Sequence, residues 1–131
     1  MRMDLKEFSP LSLAYLGDAV FELFTRVKVL NEHNTTVNEL HNFSKSYVSA
    51  VAQARMYDSL MEVVTAEEAD ILRRGRNAKS ASAAKSASIS QYRHATGVEA
   101  LFGYLFLKGE MDRIRELFDI CTKDGSVNNE Q

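Results

Sequence analysis

Between residues 11 and 30 apolar side chains stand on almost every side of a helical projection. Leu13, Leu16, Val20, Phe24 and Val27 recur at helical spacing, with Tyr15, Ala19 and Leu23 beside them. A helix that is apolar all round is expected to run through a core, not over it. Its start is marked by Ser9 as N-cap and Pro10, the only proline, at the first helical position. Residues 31–36 are polar and read as a loop. Val37, Leu40 and Phe43 predict a short amphipathic helix. Residues 47–64 predict another, with Val48, Val51, Ala52, Met56, Leu60 and Val63 inward. Thr65, with Glu68 three residues on, forms a capping box. The helix it opens is expected to reach about Arg74 and stop at Gly75. The segment 76–88 is small, polar and basic with no large apolar residue, which predicts a mobile loop; its alanines could support a helical turn. From about Ser90 to Leu107 a second core-like helix carries Tyr92, Val98, Leu101, Phe102, Leu105 and Phe106, and Gly109 breaks it. Residues 111–121 form a last amphipathic helix with Ile114, Leu117, Phe118 and Cys121 inward, followed by a polar, frayed tail from Lys123. Nothing alternates with period two and nothing repeats, so the expectation is an all-α bundle in a single domain over 1–131.

Composition agrees with that picture and narrows it. A chain of 131 residues can bury one ordinary core, and 45% hydrophobic with 26% charged residues excludes a disordered protein. No apolar run approaches the ~20 residues of a membrane span. Met1-Arg2-Met3-Asp4-Leu5-Lys6 does not resemble a secretion signal, so a cytoplasmic location is expected. The lone Cys121 excludes an intramolecular disulfide and a Cys-rich metal site, and reads as a helix-face thiol.

The net charge of −2 speaks against a nucleic-acid binder, but its distribution speaks for one. From Arg73 to His94 there are six basic residues (Arg73, Arg74, Arg76, Lys79, Lys85 and Arg93) and no acid; taking these from the 16 in the chain leaves 10 against 18 acids. A basic island in an acidic molecule suggests an anionic partner met at one place. A solvated loop with incidental charge accounts for it equally well. His33, His41 and His94 have no zinc spacing; His94 could contact phosphate or be an ordinary surface histidine.

Two residues contradict the hydrophobic pattern. Asp18 lies in Leu16-Gly17-Asp18-Ala19-Val20-Phe21, midway along the most apolar helix, and a buried carboxylate needs a partner. Glu99 repeats the anomaly in Gly97-Val98-Glu99-Ala100-Leu101-Phe102-Gly103. Gly17 removes bulk, so a helix or a ligand can approach closely. If the two helices pack together, the carboxylates can face each other, and one would take up a proton or both would hold a divalent cation. The alternative is that each is paired separately, with Arg26, Arg93 or Lys108. Glu22, four residues after Asp18, could be an outer ligand or an ordinary salt-bridged residue.

Leu13-Ala14-Tyr15-Leu16-Gly17-Asp18-Ala19-Val20-Phe21-Glu22 resembles the signature helix of the ribonuclease III catalytic domain. Val98-Glu99-Ala100-Leu101-Phe102-Gly103-Tyr104-Leu105-Phe106-Leu107 resembles that family's second metal-binding helix, and Arg74-Gly75-Arg76-Asn77-Ala78-Lys79-Ser80 resembles the basic motif of its small bacterial branch, mini-ribonuclease III. The resemblance covers roughly residues 11–121, and no double-stranded RNA-binding domain follows, as in that branch. It implies the ribonuclease III-type helical bundle and a Mg²⁺-dependent endoribonuclease that cleaves double-stranded RNA, leaving 5′-phosphate and 3′-hydroxyl ends. It implies that Asp18 and Glu99 are the catalytic metal ligands. It also implies that the loop from Gly75 to Ser88 grips RNA, through Arg74, Arg76, Asn77, Lys79, Ser80 and Lys85. The family pattern has Glu where this chain has Ala14, and Asp where it has Thr96. Water, RNA phosphates and Glu22 would then complete the coordination. The implied substrate is the precursor of large-subunit (23S) ribosomal RNA, with the help of a ribosomal protein left open. The implied assembly is a homodimer, with Phe21 and Phe24 as candidate interface residues and core burial as the alternative. A non-catalytic double-stranded RNA binder on the same fold is the competing reading; a helical adaptor without an RNA role would leave the two acids beside glycines unexplained.

Overall fold

Five of the six helices begin at a serine or threonine whose hydroxyl accepts the backbone N–H three residues on, so the chain marks its own helix starts. The computed structural model describes residues 4–79 and 87–129. After a 3-10 turn at Leu5–Glu7 come α1 (Pro10–Glu32), α2 (Val37–Val48), α3 (Ala50–Met61), α4 (Ala66–Asn77), α5 (Ile89–Leu107) and α6 (Met111–Asn129), and no strand occurs among the described residues. Ser9 and Pro10 open α1 as expected. Thr65 and Glu68 close their capping box, with Glu68 Oε1 accepting the Thr65 N–H at 2.9 Å. A second box joins Ser88 and Gln91 at the start of α5. Gly109 turns the chain from α5 into α6 at φ 78°, where a side chain would be strained.

α5 is the axis of the bundle, packed chiefly against α1, α4 and α3. The core lies around it: Leu13 and Phe21 of α1, Leu60 of α3, Leu72 of α4, Val98, Leu101, Phe102 and Leu105 of α5, and Ile114 and Leu117 of α6. No helix of the described residues is long and apolar enough to cross a membrane.

The structure departs from the expected elements at several places, among them Val63, which lies beyond the end of α3 and is exposed, and Phe106, exposed near the end of α5. α1 is not apolar inward on all sides; Leu11, Tyr15, Ala19, Leu23, Val27 and Leu30 are exposed along its outer face. Phe21, by contrast, is 1% exposed, with ring centroids 5.3 Å from both Phe102 and Phe118, and the half-buried Phe24 lies 5.8 Å from Phe118. The two candidate interface residues therefore belong to the core. Tyr47 and Val48 end α2 and do not open the next helix, because Ser49 is extended (φ −68°, ψ 153°) and caps α3. Gly75 does not stop α4. It is buried inside a helix that continues to Asn77, where it meets α5. Finally, α6 continues past Lys123 to Asn129 in place of a frayed tail.

Candidate functional site

α1 and α5 approach each other closely. A Cβ added to Gly17 would lie 1.6 Å from the backbone oxygen of Glu99, and one added to Gly103 would lie 2.1 Å from the oxygen of Leu13. Only hydrogen at both positions allows the two backbones to touch. This contact brings Asp18, the neighbour of Gly17, to Glu99. The Asp18 carboxyl lies close enough to that of Glu99 to act on it both as a hydrogen-bond partner and as a charge. Burial, then the hydrogen bond and negative charge of Asp18, push the Glu99 carboxyl up to about 8. The expectation that both acids are buried needs correcting: Asp18 is exposed on the rim, and Glu99 is half-buried beneath it.

None of the cations that could have neutralised the pair forms an ion pair with it among the described residues. Arg26 bonds Glu22 at 3.0 Å, which also turns Glu22 into a salt-bridged residue. Lys108 bonds Glu67 and Glu110, each at 3.3 Å. Arg93 is exposed and makes no ion pair among the described residues. Ala14 and Thr96 are buried, and the Thr96 hydroxyl donates to the Tyr92 carbonyl at 3.0 Å within its own helix. Two neighbouring carboxylates with no ion pair to either among the described residues are hard oxygen donors suited to a hydrated divalent ion such as Mg²⁺. Among the described residues no group of three or more His, Cys, Asp or Glu side chains forms, so most ligands of such an ion would come from water and phosphate.

A second notch joins α4 to α5. A Cβ on Gly75 would lie 2.7 Å from the Cα of Gly97, and one on Gly97 would lie 2.6 Å from the oxygen of Leu72. The basic residues are therefore carried largely by the last turn of a helix, which a loop reading did not foresee. Arg74 and Arg76 lie in that turn, Asn77 accepts from Arg76 Nε at 3.2 Å, and Lys79 is exposed just beyond it. None of Arg73, Arg74, Arg76 and Lys79 makes an ion pair among the described residues. Ser80 and Lys85 lie outside the described residues. Two aromatic groups join this corner: Tyr57 of α3, which the periodicity did not single out, and His94 of α5.

The helices define an all-α bundle that carries a carboxylate pair and a basic turn. The Ribonuclease III domain matches residues 11–110. The chain is 45% identical over 115 residues to the mini-ribonuclease 3 of Thermoanaerobacter sp. (strain X514), covering 88% of this chain and 81% of that one. It is 42% identical over 130 residues to the mini-ribonuclease 3 of Enterococcus faecalis, covering 98% of each. The crystal structure of a Fusobacterium nucleatum protein superimposes with a TM-score of 0.84 at 28% identity, over 95% of this chain and 99% of that one. The chain belongs to the ribonuclease III family, whose members are endoribonucleases acting on double-stranded RNA.

Proposed function

We propose that the chain is a Mg²⁺-dependent endoribonuclease that cleaves double-stranded RNA at Asp18 and Glu99, and that its substrate is the precursor of 23S ribosomal RNA. The observation that carries this reading is the Asp18–Glu99 pair: two neighbouring carboxyls held together by touching backbones, neither of them in an ion pair with a described residue. Together the two side chains would hold Mg²⁺, which when bound supplies a water of lowered pKa and positive charge at the reacting phosphate. Glu99, half-buried, fixes the inner side of the site, and Asp18 faces the side that RNA approaches. Glu99, raised to about 8, must lose its proton for the site to load. Hydrolysis with the 3′-oxygen as leaving group gives the 5′-phosphate and 3′-hydroxyl ends. Arg74, Arg76, Asn77 and Lys79 hold the RNA backbone from the end of α4, with Ser80 and Lys85 further along the same segment. A-form RNA presents phosphates and 2′-hydroxyls across a shallow groove, so this grip reads shape more than sequence.

The proposed assembly is a homodimer formed through the outer face of α1. Tyr15, 86% exposed, stands on that face three residues from Asp18, so a two-fold contact there would bring two copies of the site to one duplex. The absence of acids at Ala14 and Thr96 favours the non-catalytic alternative, and one experiment separates the two. Asp18→Asn and Glu99→Gln keep side-chain size and remove charge. Each is expected to lower cleavage of long duplex RNA in Mg²⁺ by orders of magnitude, to the level seen in EDTA, while duplex binding persists. Near-normal cleavage by both variants would remove the assignment.

A further inference from the structure

Tyr57 of α3 is 3% exposed, and its buried hydroxyl has no hydrogen-bond partner. Buried hydroxyls are nearly always satisfied, so an orphan of this kind asks for a ligand or a reason. Gly97 makes room for the ring, since a Cβ there would stand 3.0 Å from Tyr57 Cε2. The Arg76 guanidinium lies over the ring, 5.8 Å from its centroid, and the His94 imidazole meets it edge-on at 4.7 Å and 79°. Among the described residues Arg76 bonds only Asn77, through Nε, which leaves its terminal nitrogens to an outside acceptor.

His94 Nδ1 lies 2.7 Å from the carbonyl oxygen of Ser90. A carbonyl oxygen can only accept, so Nδ1 carries the hydrogen. In the neutral ring Nε2 is then an acceptor and would repel a phosphate oxygen. Only the imidazolium offers a donor there. The charged groups around the Tyr57 ring, against which His94 stands, are Arg73 and Arg76 on α4 and Asp58 on α3. Arg93 precedes His94 on α5. Two arginines against one aspartate make this corner a place for an anion.

We infer that Arg76, His94 and the Tyr57 hydroxyl form a clamp for one phosphodiester of duplex RNA, and that His94 contributes only as the imidazolium. The clamp rests on the reading of double-stranded RNA as substrate. Arg76 draws the phosphate to the ring; because the Tyr57 hydroxyl is closed to solvent in the free chain, the phosphate reaches it only as the Arg76 guanidinium swings outward, whereupon a phosphate oxygen supplies the acceptor that the hydroxyl lacks and His94 closes the third side. His94 and Glu99 are five residues apart on one helix, about 7.5 Å along its axis, so the clamp and the proposed cutting group ride on the same rigid rod.

Binding of a short RNA duplex to the full chain, in EDTA and at fixed salt, tests the clamp without any turnover. The wild-type protein is expected to bind about tenfold more tightly at pH 6 than at pH 8, the worth of one charge-assisted hydrogen bond. His94→Gln should bind with the weaker affinity at both pH values, and His94→Lys, a permanent cation, with little pH dependence and higher affinity at pH 8. His33→Asn and His41→Asn should keep the wild-type slope. Tyr57→Phe should bind several-fold more weakly while its melting temperature holds or rises, since it deletes an unsatisfied group. A slope that survives in His94→Gln, or full affinity in Tyr57→Phe, overturns the clamp while leaving the substrate reading intact. A wild-type protein that binds no duplex RNA at either pH overturns both.

Discussion

Glu99 carries most of the electrostatic cost of the site, and the cost has a sign that can be measured. Its carboxyl is raised to about 8 from an ordinary value of 4.5. Between those values the folded chain keeps a proton that the unfolded chain has lost. More protons bound in the folded state means that stability falls as pH rises through this window. The metal-free protein is therefore expected to melt at progressively lower temperature from about pH 5 to about pH 8, and Glu99→Gln to flatten that decline. Thermal melts in EDTA check this, and an unchanged slope in the variant would assign the effect elsewhere. Both acids were legible in the sequence, because a carboxylate in an apolar helix has few explanations. That Asp18 stays exposed while Glu99 is half-buried was not, since exposure depends on where the partner helix ends its cover. Tyr57 gave no signal at all: one aromatic residue among apolar ones looks like core until its hydroxyl is seen to lack a partner.

Glycine inside a helix has two meanings, and the bundle uses the less obvious one. Gly17 was readable as a point of close approach because an acid stood beside it. Gly75 looked like a helix stop, because the reason for it, Gly97, is 22 residues away on another helix. Helix starts were legible because capping is local; the break at Ser49 was missed because apolar residues continue through it. Gly17→Ala would drive a methyl group into the Glu99 backbone, which cannot rotate away. It is expected to cost about 3 kcal/mol and to part Asp18 from Glu99, so that cleavage falls more than stability alone explains. Denaturant unfolding and turnover measured on the same preparation separate the two losses. At the other end of α4, Arg113 of α6 bonds Glu68 through two nitrogens, at 2.9 and 2.7 Å, and reaches the Val63 carbonyl at 3.3 Å. The Arg113 hydrogen bond is the largest cause holding the Glu68 carboxyl below its ordinary value. Its stabilisation is present above the ordinary carboxylate range and is lost as pH falls through the lowered value. Arg113→Ala is expected to cost about 2–3 kcal/mol at neutral pH and less in acid, which denaturant melts at both pH values would show.

For the whole molecule, α1 presents an apolar face that periodicity alone reads as core. A pattern of side chains cannot tell a surface covered by the same chain from one covered by a second copy. Phe21 and Phe24 face the first kind of cover, Tyr15 and Leu23 the open side. If the homodimer forms through that face, Tyr15→Arg should yield a monomer in sedimentation velocity and slow the cutting of both strands, with little loss of melting temperature. A dimer that withstands the change would place the interface elsewhere. The two glycine notches bear on a different property of the whole. α5 meets α1 at Gly103 and α4 at Gly97, each time backbone against backbone, with no side chain as a shim. The interval between the basic turn and the carboxylate pair is therefore set by peptide geometry, which neither a rotamer change nor ordinary substitution of the core can stretch. If the basic turn grips RNA and the carboxylate pair cuts it, as proposed, the molecule would work as a fixed gauge: duplexes whose backbone matches the interval would be accepted, and the others would have to deform to be cut.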